Sequence, residues 1–339
     1  MELWYTLGPA SLGKEEEFLL RGATGARLTF SYGTPSLQDE RAQSLRDAAA
    51  RVRRPCRIVA DLAGEKIRLG SFQGPPSMRV PTGARLRLAF GSTASQPSDP
   101  VLPVQSSAFF AQIREGSVVT VGDGGAVLQI KRVAGDEAWA EVLQDGIVDQ
   151  NRGLTVQGRE FQPLALTEKD LADLEHILRS PLYDVVALSF VSSEKDVLRV
   201  RKLAQEVGSH IAVLAKIETA GGVENIDAIC SSSDAVMAAR GDLALALPWV
   251  ELPHAVTQIA RHAVAKGTPW VLATQVLEGL ERFALPTRAE ICDLAHWLQQ
   301  GCAGVLLSYE TAFGRCPELA VTSAAALLAR WGQAGRGFS

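Results

Sequence analysis

Cysteine and histidine are scarce in this chain, and neither is spaced for metal binding. Five of each occur in 339 residues. Cys56, Cys230, Cys292, Cys302 and Cys316 form no CxxC pair, and an odd, scattered set reads as reduced thiols in a reducing compartment. His176, His210, His254, His262 and His296 show no HxxxH spacing and read as structural or exposed. A basic excess is also lacking. The formal net charge is −4 and the longest basic run is Arg51-Val52-Arg53-Arg54, so a nucleic-acid partner is not expected. No apolar stretch approaches the roughly 18 residues of a membrane span. The opening Met1-Glu2-Leu3-Trp4-Tyr5 lacks the basic-then-apolar pattern of a signal peptide. A cytoplasmic protein with no membrane partner is expected.

What the chain does have is ordinary globular material, 47% apolar and 21% charged. Its length favours two structural units. Short apolar runs recur at Leu3–Thr6, Ala26–Phe30, Cys56–Asp61, Asp184–Phe190, Ile211–Ile217, Asp234–Ala239, Pro269–Thr274 and Ala303–Ser308. Buried parallel strands read this way, without strict alternation. Helical patterns separate most of them. Gln38–Val52 sets Ala42, Leu45, Ala49 and Val52 on one side, and Lys169–Leu178 and Glu194–Val207 behave alike, the latter stopping at Gly208. Thr287-Arg288-Ala289-Glu290 fits a capping box ahead of Ile291, Leu294, Ala295 and Leu298. Pro317–Trp331 is the eighth helix.

Eight strands alternating with helices predict an α/β fold, a (β/α)8 TIM barrel. From Ile67 to Pro163 the alternation fails, and strand candidates appear at Arg85–Phe90, Ser117–Val121, Ala126–Val133 and Ala138–Leu143. That interval predicts a small all-β domain inserted after the third strand. The expected domains are a barrel from residues 1–66 and 164–332, an insert at 67–163 and a tail at 333–339. Val121-Gly122-Asp123-Gly124-Gly125 reads as a β-turn rather than a phosphate loop, because strands flank it on both sides.

Catalytic groups in such a barrel stand at the carboxyl ends of strands. Lys216-Ile217-Glu218 ends the fifth run, and strand alternation puts Lys216 and Glu218 on one side. The sixth run ends in Ala239-Arg240-Gly241-Asp242. Glu218 and Asp242, at neighbouring strand ends, make a hard-oxygen pair suited to Mg²⁺, with Lys216 placed to stabilise a phosphoryl group in flight. An interstrand salt bridge without a ligand is the structural alternative. A helix beginning at Leu243 would leave backbone N–H groups at Gly241 for a carboxylate. Arg27, inside the second strand, requires an anion, either a structural carboxylate or a bound phosphate. Arg68 reads as a second mouth-directed cation or a hinge charge. Thr274 reads as a donor to substrate or a helix cap.

Taken together, these segments resemble the pyruvate kinase family over nearly the whole chain. The resemblance rests on Thr6-Leu7-Gly8-Pro9-Ala10-Ser11, Ala26–Gly33 (ARLTFSYG), Asp61–Gly70 (DLAGEKIRLG) and Ser189-Phe190-Val191. It continues through Lys216–Glu218 (KIE), Ala239–Leu243 (ARGDL), Ala273-Thr274-Gln275, Pro286–Glu290 (PTRAE) and Ser308–Ala312 (SYETA). It implies that Glu218 and Asp242 bind Mg²⁺ or Mn²⁺, that Lys216 stabilises the transferred phosphoryl group, and that Thr274 lies near the protonation path of the enolate. Arg27 and Arg68 would clamp phosphates, and Arg152 would touch the nucleotide. Ser189, Ala239, Arg240, Gly241 and Asp242 would surround the acid substrate, the last two through backbone N–H groups. Ser31 and Asp61 match monovalent-cation ligands. Lys66 stands where potassium-dependent members carry Glu, so independence of K⁺ is expected.

Departures from the family pattern are equally specific. Thr29 stands where the family has Asn and Tyr32 where it has His, both beside the nucleotide. Ser192 replaces Arg, Ala244 and Ala246 replace Gly and Glu, and Tyr309 replaces Gly. No counterpart of the family's C-terminal effector domain follows the barrel, so regulation by that route is not expected. The leading expectation is Mg²⁺-dependent phosphoryl transfer between phosphoenolpyruvate, or a related enol acid, and ADP, by a specialised-pathway paralogue. A metal-dependent lyase or aldolase acting on a pyruvate-type enolate is the alternative, with a non-catalytic relative as a third reading. Small-molecule substrates are the expected partners, and oligomers through barrel helices are possible.

Overall fold

The eight apolar runs are eight parallel strands closed into a barrel, in a computed structural model described over residues 1–91, 100–122, 124–158 and 161–332. Asp123, in the expected turn, and the tail at 333–339 lie outside the described residues. The strands are Glu2–Thr6, Gly25–Thr29, Arg57–Asp61, Val185–Leu188, Ala212–Ile217, Ala235–Ala239, Trp270–Ala273 and Gly304–Leu307. Each pairs with the next in order, and the ring closes where Glu2 meets Gly304. Helices Pro35–Val52, Glu168–Arg179, Glu194–Glu206, Leu252–Lys266, Arg288–Gln299 and Pro317–Trp331 fall between or after them. The Thr287–Glu290 capping box forms, and a second, Thr167–Asp170, opens the helix after the insert. Among the described residues no helix is long and apolar enough to cross a membrane.

Side-chain alternation explains the barrel's interior. Trp4, Val59, Val185, Ala187, Leu214, Met237, Val271 and Leu306 meet in one apolar cluster. Gly25 is needed beside them, because a Cβ there would lie 2.8 Å from the Trp4 ring and 2.5 Å from the Arg57 carbonyl oxygen. Two residues further along their strands, the same phase delivers Thr6, Asp61, Ser189 and Lys216. The interior thus turns polar at the carboxyl ends, as it does at the amino ends, where Glu2 pairs with Arg57 at 3.8 Å.

By its internal contacts the chain divides into a barrel unit, Met1–Gly64, Leu164–Gly241 and Pro253–Ser339, and a second unit, Glu65–Pro163 with Asp242–Leu252. The second unit holds a six-stranded sheet ordered Leu154–Val156, Val118–Val121, Ala126–Ala134, Glu137–Gln144, Arg85–Phe90 and Val101–Val104. Ser77–Val80 and Gly146–Asp149 form a separate antiparallel pair. Alternation is clean in Glu137–Gln144, where Ala138, Ala140 and Val142 turn inward onto Leu86, Leu88, Leu128 and Ile130. Four short strands, Ser77–Val80, Val101–Val104, Gly146–Asp149 and Leu154–Val156, and the helix Ser107–Gln112 have no counterpart in the sequence reading. Strands of three or four residues carry too little periodicity to announce themselves, and only pairing with distant segments defines them.

The helix after the sixth strand begins at Arg240, not Leu243. Gly241 and Asp242 therefore lie inside its first turn, since Ala239 passes directly from strand into helix.

Candidate active site

Lys216 is the centre of the polar layer. Its Nζ lies 3.0 Å from Asp61 Oδ1, 2.7 Å from Ser189 Oγ and 3.3 Å from Glu218 Oε1. Ser189 accepts that bond and donates its own hydrogen to the Leu62 carbonyl at 2.7 Å. Asp61 is shared, because Arg27 Nη1 approaches its other oxygen at 3.3 Å. Arg27 also donates from Nε to Thr6 Oγ1 at 3.0 Å. Glu218 Oε2 accepts the Phe190 backbone N–H at 2.9 Å. Both members of the Lys216–Glu218 pair are nearly sealed from solvent, at 10% and 4% side-chain exposure. The salt bridge weighed as an alternative is thus present, and Arg27 has found its carboxylate.

Burial acts on Lys216 first and favours loss of its proton. The carboxylates of Asp61 and Glu218 outweigh burial and Arg27 together, so the ammonium is held above the ordinary lysine range. Arg27 and Lys216 against Asp61 and Glu218 make the cluster formally neutral, which is how ionised groups survive in a dry layer.

A second group of residues fixes the loop after the seventh strand. Thr274 and Gln275 both have positive φ, 72° and 52°. Left-handed backbone costs a non-glycine residue roughly 1–2 kcal/mol and is rarest for β-branched types. Arg240 braces this segment, donating to the Thr274 carbonyl from Nε at 3.2 Å and Nη2 at 2.9 Å, and to the Gln275 carbonyl at 2.9 Å. Its Nη1 rests on Asp293 at 2.6 Å, which in turn accepts from Trp297 at 2.7 Å. Thr274 is not a helix cap. Its side chain lies against Gly241, where an added Cβ would come within 3.0 Å of Thr274 Cγ2.

Within the quoted segments the sequence pattern gives no separate role to Glu310 or Thr6, and it gives none to Asp170. Glu310 is 2% exposed and accepts backbone N–H groups from Val276, Leu277 and Ser308 at 3.0, 3.1 and 2.7 Å. Asp170, fully buried, caps its own helix and accepts from the Ala63 and Gly64 N–H groups at 2.9 and 3.2 Å. The available signals were a carboxylate three residues past the last barrel strand for Glu310 and a Thr-x-x-Asp capping pattern for Asp170.

Other expected residues are placed as follows. Ala239 is buried at its strand end. Thr29 closes the second strand, and Gln38 ties the carbonyls of Thr29 and Tyr32 at 2.9 and 2.7 Å. Ser31 and Tyr32 are exposed. In the second unit, Lys66 Nζ reaches both carboxylate oxygens of Asp242, at 2.9 and 3.2 Å. Arg68 donates to the Asn151 carbonyl at 3.3 Å, and Arg152 pairs with Asp149 at 3.5 Å. His176 bonds Asp39, and His262 faces Asp227.

An eight-stranded parallel barrel with an inserted β-unit after the third strand, its ionisable groups gathered at the carboxyl strand ends, defines the class: a TIM-barrel protein of two units. Residues 2–321 match the family described as pyruvate kinase, barrel domain. Proteins named pyruvate kinase are similar to this chain. That of Clostridium acetobutylicum is 31% identical over 95% of this chain and 68% of its own length. Those of Mycobacterium intracellulare and Chlamydia pneumoniae are each 34% identical over 93% of this chain, and 66% and 65% of their own lengths. The chain belongs to the pyruvate kinase family, and it spans about two thirds of the length of these relatives.

Proposed function

We propose that this protein transfers a phosphoryl group between phosphoenolpyruvate, or a closely related enol acid, and ADP, with Mg²⁺ and without K⁺, as a specialised-pathway paralogue. The observation that carries the reading is the buried ammonium of Lys216, held charged between two carboxylates at the carboxyl ends of the barrel strands.

Glu218 and Asp242 are the proposed metal ligands, and their chemistry fits a hard divalent ion. Among the described residues no group of three or more His, Cys, Asp and Glu is placed around one metal position. Two carboxylates completed by water and substrate oxygens are the usual holding of Mg²⁺. When bound, the ion supplies Lewis-acid stabilisation of the phosphoryl and enolate oxygens.

Lys216 then serves as the fixed positive charge for the transferring group. Of its three donors, the one toward Glu218 is the longest, at 3.3 Å, and is the one a phosphoryl oxygen would take over. Asp61 and Ser189 keep the ammonium aimed during that exchange. Arg27, anchored on Thr6 and Asp61, presents a further guanidinium edge to phosphate. The Gly241 and Asp242 N–H groups hold the acid's carboxylate, and Thr274 handles the proton at the enolate's methylene carbon. Arg68 and Arg152 belong to the nucleotide end.

Potassium independence has its support in charge balance. Both oxygens of Asp61 already face protein cations, Lys216 and Arg27. Lys66 adds an ammonium on Asp242 and leaves that carboxylate further lone pairs.

The test is formation of pyruvate and ATP from phosphoenolpyruvate, ADP and Mg²⁺, with and without K⁺, beside Lys216→Met. Turnover without K⁺ that Lys216→Met abolishes is expected. Folded protein that binds oxalate with Mg²⁺ yet gives no turnover would sink the kinase reading in favour of another enolate substrate.

A further inference from the structure

The strained peptide after the seventh strand is gripped at opposite poles by opposite charges. The Arg240 guanidinium takes the carbonyls of Thr274 and Gln275, and the Glu310 carboxylate takes the N–H groups of Val276 and Leu277. Glu310 touches none of the groups proposed to meet substrate, and its second oxygen is anchored on the Ser308 N–H. A buried carboxylate that receives three backbone N–H donors is an expensive way to close a loop. Two neutral turn residues would close it if the loop had no conformation to defend. What it defends is the left-handed backbone at 274 and 275, which sets the Thr274 side chain against Gly241.

We infer that Glu310 is a positioning residue. It holds the Val276–Leu277 amides so that Thr274 stays in its positive-φ conformation with its hydroxyl presented for proton transfer at the substrate's methyl carbon. The inference rests on the function proposed above and deepens it by assigning a separate support to the proton-transfer half of the reaction. Lys216, which serves the phosphoryl half, is held by a different set of groups, Asp61, Ser189 and Glu218. The two halves should therefore separate on mutation.

The reaction that isolates the proton step is exchange of the pyruvate methyl hydrogens with deuterated solvent in the presence of Mg²⁺. A C–H bond breaks, its electron pair becomes the enolate double bond, the proton passes to solvent, and a deuteron returns by the same path. Glu310→Gln keeps shape and removes charge. It should slow this exchange by about 10-fold or more, a share of what a positioned proton-transfer group contributes, while ATP formation from phosphoenolpyruvate and ADP changes by less than about 3-fold. Thr274→Ala should abolish most exchange, and adding Glu310→Gln to it should cost nothing further. Gln275→Gly, which adopts positive φ without strain, should restore part of the exchange lost in Glu310→Gln.

Equal losses in both activities, or losses that multiply with Thr274→Ala, would overturn the inference. If Glu310→Gln does not fold, Glu310→Asp is compared in the same way. Amide exchange of Val276 and Leu277 gives a readout independent of turnover. Protection lost there but kept in Trp270–Ala273 is expected, and unchanged protection overturns the clamp. A wild-type protein with neither activity would instead overturn the proposed function.

Discussion

Lys216 and Asp61 are 155 residues apart in the chain and 3.0 Å apart in the barrel mouth. Asp61 faces both Lys216 and Arg27, one through each carboxylate oxygen. Asp61→Ala should therefore cost more stability than Lys216→Met. Loss of Asp61 leaves the buried Lys216 and the half-buried Arg27 sharing what remains, at about 3 kcal/mol or more. Lys216→Met leaves Asp61 with Arg27 and Glu218 with the Phe190 N–H. Urea titrations of the two variants should show this order, while turnover in Lys216→Met falls by at least about 10²–10³-fold.

Lys66 and Asp242 pair within the second unit. If the Lys66 ammonium replaces a mobile cation, Lys66→Ala should convert an enzyme indifferent to K⁺ into one stimulated by it. Turnover at rising KCl, with choline chloride matching ionic strength, checks this. Equal response in wild type and variant would remove Lys66 from that role.

Asp170→Ala should be among the more damaging polar substitutions away from the mouth. It deletes a reciprocal helix cap and strands the N–H donors of Gly64, which is buried, and Ala63, which is half-buried. A cap is worth about 1 kcal/mol and each orphaned buried donor about 1–3 kcal/mol. A loss of roughly 3 kcal/mol or more is expected in chemical denaturation. Thr287→Ala, which removes only a cap oxygen, should cost about 1 kcal/mol.

Burial pushes the thiols of Cys56, Cys230 and Cys302 up to about 12, whereas Cys292 and Cys316 are exposed. Native protein at pH 8 should alkylate at two thiols and unfolded protein at all five. The raised folded value fixes the sign of a pH effect. Below about 8.5, the ordinary thiol value, the contribution of these groups is intact. As pH rises from there toward about 12 only the unfolded chain ionises, so stability falls. Serine at the three buried positions should flatten that alkaline decline.

Much of this was legible in one dimension. The eight barrel runs, the Thr287–Glu290 cap and the shared side of Lys216 and Glu218 follow from apolar runs, short-range capping chemistry and strand alternation, all of which act over a few residues. Thr274 stands out in the sequence as a candidate, but its left-handed backbone does not, because nothing in Ala-Thr-Gln encodes a positive φ, and the groups that bond this segment, Arg240 and Glu310, come from other strand ends. Asp61 was read as a ligand for a mobile cation, and the structure gives it two protein cations from other strands.

By itself, then, the sequence determined the period of the elements, the place of the insert and which side chains each strand delivers to the barrel's carboxyl end. Tertiary structure alone decided which of those side chains satisfy one another. Ion pairing in a nearly dry layer depends on distances of about 3 Å between groups on different strands. Such distances exist only once the ring has closed.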